Sequence, residues 1–367
     1  MKTILTMLTV SVMAMFLITV EEAAAEDEKT FSIESLTENV VISGLVEVEA
    51  GISKDFDDVD TSSAELATVE LGVDASVTDW CSGHILFSWE EGVDVDEGFI
   101  TLGGTDAVPV YLNAGLIYVP FGVYETHMIS DPLTLEIGET RENALQVGGE
   151  YKGLYGSLFL FNGDIQEESN DSDDAMETYS ANAGYAFEKD NFSMDLGVDF
   201  ISNILDSNGL GDGFLEAQEE FVSLNPNGSY ELKKYVAGLG AHIVMNLGPA
   251  CLVGEYIGSL DDIEYNTDDG AGTTAAIKTD GPTAFHVEGA YTIEAMEKEI
   301  TLAATYQATD NLAGVLPETR IGASAGIALT DGLDLTVEYL HDEDYDVADG
   351  GTGESGEAVT FQLALEF

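Results

Sequence analysis

Beyond residue 38 the chain alternates apolar and polar side chains with a period of two, in stretches of about ten residues separated by turns. That is the pattern of strands whose two faces meet different solvents. In "VEVEA", Val46 and Val48 oppose Glu47 and Glu49, and in "TVELGVDAS", Val69, Leu71 and Val73 oppose Glu70 and Asp74. "HILFSWE" sets Ile85, Phe87 and Trp89 against His84, Ser88 and Glu90. "NFSMDLGVDF" sets Phe192, Met194, Leu196, Val198 and Phe200 against Asp195 and Asp199. "AFHVEGAYTI", "ITLAATYQ" and "LDLTVEYL" continue the pattern. Strands are predicted near 39–52, 64–78, 82–91, 98–102, 109–118, 143–152, 154–162, 177–188, 191–202, 233–246, 249–260, 283–294, 298–309, 319–330, 333–342 and 357–367. The count is about 16, even as a bacterial barrel requires, and falls to about 14 if the weak fourth stretch and its neighbour fail.

A soluble sandwich also alternates. Two features favour a transmembrane antiparallel β-barrel, all-β in class. Connections alternate between short ones ("TDWCS", "YKG", "NLGP", "LTDG") and long acidic ones ("NGDIQEESNDSDDAME", "HDEDYDVADGGTGESGEA"), a sorting expected of outer-membrane barrels. The chain also ends in "VTFQLALEF", where Val359, Phe361, Leu363, Leu365 and Phe367 form one apolar face. Such an end resembles the terminal strand read by the barrel-insertion machinery, which makes Phe367 the expected contact. No later segment reaches the ~18 consecutive apolar residues of a membrane helix, so a spanning mature chain crosses as a barrel.

The first residues read differently. Lys2, an apolar run from Ile4 to Val20 and the small residues Ala23 to Ala25 form a secretory signal peptide over 1–25. A short periplasmic segment, 26–38, then leads into a barrel over 39–367. The 70 acidic against 11 basic side chains, a net charge of −59, exclude nucleic acid as a partner, because phosphate binding needs a basic surface.

A 16-stranded barrel encloses an aqueous channel. With the apolar faces on lipid, Glu47, Glu49, Glu70, Asp74, Glu90, Asp195, Asp199, Glu288, Asp334 and Glu338 face the lumen, and Arg320 near an outer rim is the clearest base. Acidic rings favour cations; equally, carboxylates can merely solvate a polar wall. Cys81 and Cys251 are expected on short turns half a circumference apart, beyond the ~7 Å Cα separation that a disulfide spans. They are therefore expected as free thiols.

One long connection stands out. "YVPFGVYETHMISDPLTLEIGETRENA" carries two prolines, apolar Leu133, Leu135 and Ile137, and an acidic set, which suits packing against a wall more than solvation. It is the third long loop, expected to fold inward from Pro120 to Asn143 as in porins and to narrow the pore. Tyr124, Glu125, His127, Asp131, Glu136, Glu139, Arg141 and Glu142 are its candidates for the constriction, with Arg141 better placed to pin the loop beside Glu139 and Glu142. The motifs "PFG", "ET.MISDPLTLE.GET" and "QVG" between Tyr118 and Gly148 resemble the signature of LbtU-type siderophore porins of Gram-negative outer membranes. The resemblance implies a barrel passing an iron-carrying siderophore or small polar solutes, by diffusion and without a plug domain.

Other chemistry is thinly represented. None of the five histidines, His84, His127, His242, His286 and His341, sits in a nucleophile motif, so no enzyme activity is expected. "DSNGLGDGFLE" offers Asp206, Asn208, Asp212 and Glu216 as oxygen ligands, but its spacing fails the EF-hand; no cofactor and no dedicated metal site are expected. The expected partners are outer-membrane lipid, a siderophore or small solute and, by analogy with 16-stranded porins, two further copies in a homotrimer. The alternatives are a general cation-preferring porin and a non-conducting structural or adhesive barrel.

Overall fold

A computed structural model of the protein describes residues 39–89, 92–105, 108–167, 176–295 and 297–367. Residues 41–367 form one compact unit. The expected signal peptide, the segment up to residue 38 and Glu90 lie outside the described residues.

Numbered in chain order, the barrel strands are β1 (Val40–Lys54), β2 (Asp60–Thr78), β3 (Cys81–Trp89), β4 (Val93–Thr105), β5 (Val108–Tyr118), β6 (Arg141–Tyr151), β7 (Leu154–Phe161), β8 (Thr178–Lys189), β9 (Phe192–Ile201), β11 (Gly238–Leu247), β12 (Ala250–Ser259), β15 (Thr283–Ala295), β16 (Lys298–Asp310), β17 (Thr319–Thr330), β18 (Leu333–Glu343) and β19 (Ser355–Glu366). These 16 strands close into one antiparallel barrel, each beside its predecessor, with β19 returning to β1. The weak fourth stretch proves to be a full strand, which removes the 14-strand alternative. At the closure Gly44 donates to the Phe367 carbonyl at 2.9 Å and Phe367 donates back to Gly44 at 3.1 Å. The Phe367 ring packs over Gly44, 2.5 Å from where a Cβ would stand, so a side chain there would displace the ring.

Burial is inverted relative to a soluble domain. Val48, Leu71, Ile85, Trp89, Val198, Leu302, Tyr306 and Phe361 are exposed on the outer face, whereas Asp199, His242, Glu255, His286, Glu288, Gln307 and Glu338 are buried within. Water does not solvate such an outer surface well, and a bilayer does.

Three corrections to the sequence reading concern connections. Loop length sorts less strictly than expected, because β1–β2 and β3–β4 are separated by only a few residues at the end that elsewhere carries the long loops. Two of those long loops also carry their own structure. A helix, α2 (Asn208–Leu224), and a three-stranded sheet of β10 (Ser229–Leu232), β13 (Ile263–Asp268) and β14 (Thr274–Thr279) stand outside the barrel order. Finally, Cys81 opens β3 and Cys251 is the second residue of β12, neither on a turn; both are free thiols, as expected.

Candidate functional site

Residues 119–140 leave β5 and return to β6 through the interior of the barrel. Their apolar side chains explain why: Val119, Phe121, Met128, Leu133 and Ile137 are buried, and Phe121 and Ile137 are fully so. A short helix, α1 (Leu133–Gly138), presents Leu133, Thr134, Ile137 and Gly138 to the interior. At Gly122 the backbone takes φ 103°, the left-handed region glycine tolerates, and a Cβ there would collide with the Tyr124 ring at 2.5 Å.

A non-regular segment lodged against a wall needs acceptors for its backbone N–H groups. Carboxylates of the inner wall supply them. Glu255 on β12 accepts from Val123 N at 2.7 Å and from the Thr134 hydroxyl at 2.6 Å. On β15, Glu288 accepts from the Thr126 hydroxyl at 2.7 Å, and from His127 through its backbone N at 2.7 Å and its Nδ1 at 2.8 Å. Glu338 on β18 accepts from Ile129 N at 2.7 Å and Ser130 Oγ at 2.6 Å. Between them Gln307 accepts from Leu133 N at 2.7 Å, and Ser324 donates to the His127 carbonyl at 2.7 Å. Carboxylates only accept, so each is matched to the donors a loop backbone exposes, and charge-assisted bonds of this kind are the stronger ones.

The far end of the loop is clamped by α2. Asn208 donates its backbone N–H to the Glu139 carbonyl at 2.7 Å and its side-chain amide to the Glu139 carboxylate at 3.2 Å, and its Oδ1 accepts from Arg141 N at 3.3 Å. Gly209 packs so closely that a Cβ would stand 2.1 Å from the Glu136 carbonyl oxygen.

The loop residues expected at the constriction therefore separate. Glu125, His127, Asp131 and Glu136 are exposed, His127 while its Nδ1 is bonded to Glu288 of the wall. Although its side chain keeps access to solvent, desolvation by the surrounding protein, then the charges of Glu47 and Glu338, hold the Asp131 carboxyl above its ordinary range. Burial likewise raises Glu139, which is half-buried. Tyr124 belongs elsewhere: its ring packs with the apolar cluster behind the loop and its hydroxyl donates to the Phe121 carbonyl. Arg141 and Glu142 are strand residues of β6, not loop. The Arg141 guanidinium binds Asp96 at 2.5 Å rather than Glu139 or Glu142, and Glu142 is buried on the inward face with Ala144 and Gln146.

The wall residues divide as well. Glu47, Glu49, Glu70 and Asp74 share the inward register of β1 and β2; Gln362 donates to Glu49 at 2.9 Å and His84 pairs with Asp74 at 2.7 Å. Asp195 accepts from the Tyr155 hydroxyl at 2.8 Å, and Asp334 is exposed on the same face of β18 as Glu338. Glu288 and Glu338, each 1% exposed, and Asp199, beside His242 at 3.5 Å, are inward but sealed from water, contrary to the expected open acidic ring. Inward-facing Arg320 is taken by Asp342 through two bonds of 2.9 Å. The sequence reading missed Glu255 and Gln307, and considered Asn208 only as an oxygen ligand, not as the clamp of the loop. Glu255 and Gln307 lay on the polar parity of their strands and could have been found there, whereas nothing local marks Asn208 as a partner of Glu139. Toward the short turns, a cavity of about 460 Å³ opens among His127, Asn246, Cys251, Thr292, Glu294 and Glu299.

No protein-family model matches the chain. In sequence it is similar to a UPF0422 protein of Coxiella burnetii (strain RSA 493 / Nine Mile phase I), 27% identical over 358 residues, which span 89% of this chain and 72% of that protein. It is also similar to a UPF0422 protein of Legionella pneumophila (strain Lens), 25% identical over 369 residues that span 89% of this chain and 66% of that protein. Among solved structures, the anion-selective porin of Comamonas acidovorans superposes with a TM-score of 0.58 at 12% identity, over 89% of this chain and 99% of that one. The outer membrane channel DcaP of Acinetobacter baumannii gives 0.55 at 15% identity, over 89% and 97%. At such identities the likeness is one of fold: this chain is a closed 16-strand barrel of the outer-membrane porin type, similar in sequence to UPF0422 proteins.

Proposed function

We propose that the protein is a passive outer-membrane porin of Gram-negative cells whose passage prefers cations and small polar solutes. The observation that carries this reading is the inward loop, which wall carboxylates of three strands hold by hydrogen bonds; we read its exposed Glu125, Asp131 and Glu136 as sharing the lumen with Glu47, Glu49, Glu70 and Asp74. A passage lined by carboxylates, with its inward arginine already paired, attracts cations and repels anions. The Comamonas protein is described as anion-selective; a net charge of −59 argues against carrying that selectivity over. Outer-membrane lipid around the apolar belt, insertion through the Phe367 end and assembly as a homotrimer belong to the same reading.

Siderophore passage is the second reading. It is favoured by the resemblance of Tyr118 to Gly148 to LbtU-type siderophore porins, a segment that coincides with the inward loop and the start of β6. The acidic passage suits a cationic or neutral siderophore complex over an anionic one.

Reversal potentials of single channels in a KCl gradient test the main reading. A potential of the sign set by K⁺ is expected, and one set by Cl⁻ overturns it. Addition of a ferric siderophore to the same bilayer tests the second, through block or flux.

A further inference from the structure

At the loop end of the barrel a cavity of about 270 Å³ opens between the segment that follows β7, helix α2 and strand β10 of the small sheet. Its lining is of two kinds. Asp164, Glu167 and Glu231 bring carboxylates, and Ile165, Phe214 and Leu215 bring apolar surface. Among the described residues no lysine or arginine lines it. The bases of this region are engaged elsewhere, Lys233 with Glu264, Lys234 with Asp261 and Lys278 with Asp262.

The three walls are bonded to one another, so the cavity is preorganised rather than a gap between independent loops. Glu167 forms a parallel bridge with Leu232 of β10, and Tyr235, just beyond β10, donates its hydroxyl to Gln166 at 3.3 Å. Gln218 on α2 donates its side-chain amide to the carbonyl of Tyr230, the residue before Glu231. The Phe214 ring is held edge-on by Tyr230 and Tyr265, with centroids 5.2 and 6.3 Å away. Ile165 donates its backbone N–H to Asp206 Oδ1 at 3.2 Å, which ties the first wall to the turn that leads into α2.

Carboxylates beside aromatic and aliphatic surface suit an organic cation, whose charge the acids meet and whose hydrocarbon the apolar side chains cover. An anion is repelled. A metal ion needs several converging ligands, and among the described residues no three His, Cys, Asp or Glu side chains converge on one metal position. We propose that this cavity binds a small organic ammonium ion with an apolar body, and that its occupancy braces the inward loop. Helix α2 is the link. Phe214 and Leu215 line the cavity, while Asn208 and Gly209, about 9 Å back along the same helix, hold the loop at Glu139 and Glu136. A ligand that fixes the middle of the helix restrains the clamp at its start. The site stands on geometry outside the pore and does not depend on the ion selectivity of the passage.

The test is calorimetric titration of phenethylammonium into the detergent-solubilised full chain, with phenylacetate, of similar body and opposite charge, as the control. Hydrogen exchange of amides 135–140 is followed with and without the probe. Expected is saturable binding of phenethylammonium and none of phenylacetate, with tighter protection of those amides in the bound state. Glu231 is exposed on β10, so Glu231→Gln keeps the fold; it should bind about fivefold more weakly, while Asp349→Asn, on another loop, binds as the parent does. Absence of saturable binding, or equal affinity in Glu231→Gln and the parent, overturns the site and leaves diffuse attraction to an acidic surface. Saturable binding that leaves the amides 135–140 unchanged overturns the link through α2.

Discussion

Glu288 on β15 and His127 in the inward loop meet twice, through the backbone N–H of His127 at 2.7 Å and its Nδ1 at 2.8 Å, across 161 residues of sequence. The histidine points out of the loop on one side and is held by the wall on the other.

This pair makes the loop pH-dependent. The hydrogen bond to Glu288 raises the His127 imidazole above its ordinary value, against the opposing effect of burial. A histidine whose folded value is raised contributes stability that is complete below its unfolded value of roughly 6.5 and is lost as pH rises through the folded value. Hydrogen exchange of amides 119–140 should therefore show tighter protection at pH 6 than at pH 9, after correction for intrinsic rates. The His127→Gln variant should lose most of that difference.

Removing a wall carboxylate strands the donors it served. Glu338→Ala leaves the N–H groups of Ile129 and Ser130 and the Ser130 hydroxyl without their acceptor. A cost of about 1–3 kcal/mol per stranded buried group is typical, so unfolding should shift by at least that amount. In bilayers the variant is expected to flicker where the parent is steady; equal noise in both would show that the loop is held by its apolar contacts alone.

Selectivity should respond to the free face of the loop. Neutralising one carboxylate about 10 Å from a passing ion changes its energy by about 0.4 kcal/mol in a water-like medium, roughly twofold in permeability ratio. Asp131→Asn and Glu136→Gln should each reduce cation preference by this order. Tyr124→Phe, behind the loop, should leave it unchanged.

Gly122→Ala tests the strain of the loop entry. The new Cβ meets the Tyr124 ring and the residue must keep φ 103°, a combination costing about 1–3 kcal/mol. Lower thermal stability with an intact barrel, visible as unchanged strand content by circular dichroism, is the expected result.

Thiol counting gives a simple check of strand order. Denatured protein purified without reductant should take up two equivalents of maleimide, one each at Cys81 and Cys251. Uptake of none, with a mobility change on reduction, would mean a bridge that the strand order forbids.

Most of the barrel was legible because each strand carries its own evidence. Alternation with a period of two is a local property, and Val46 to Glu49 or Phe192 to Phe200 show it without reference to any neighbour. The apolar set Phe121, Leu133 and Ile137 likewise announced a loop that packs inward. Helix α2 was passed over although Leu210, Phe214 and Phe221 lie near helical spacing, because its glycines and acidic residues also fit a ligand loop. What the sequence by itself determined was which side chains point inward. Whether an inward carboxylate meets water or protein was decided only by the tertiary structure. Glu47 and Glu338 have the same parity on their strands, yet the loop covers one and not the other. The reason is physical: a strand's alternation reports its own two faces, while the occupant of the space opposite comes from a segment more than 200 residues away, 208 between Ser130 and Glu338.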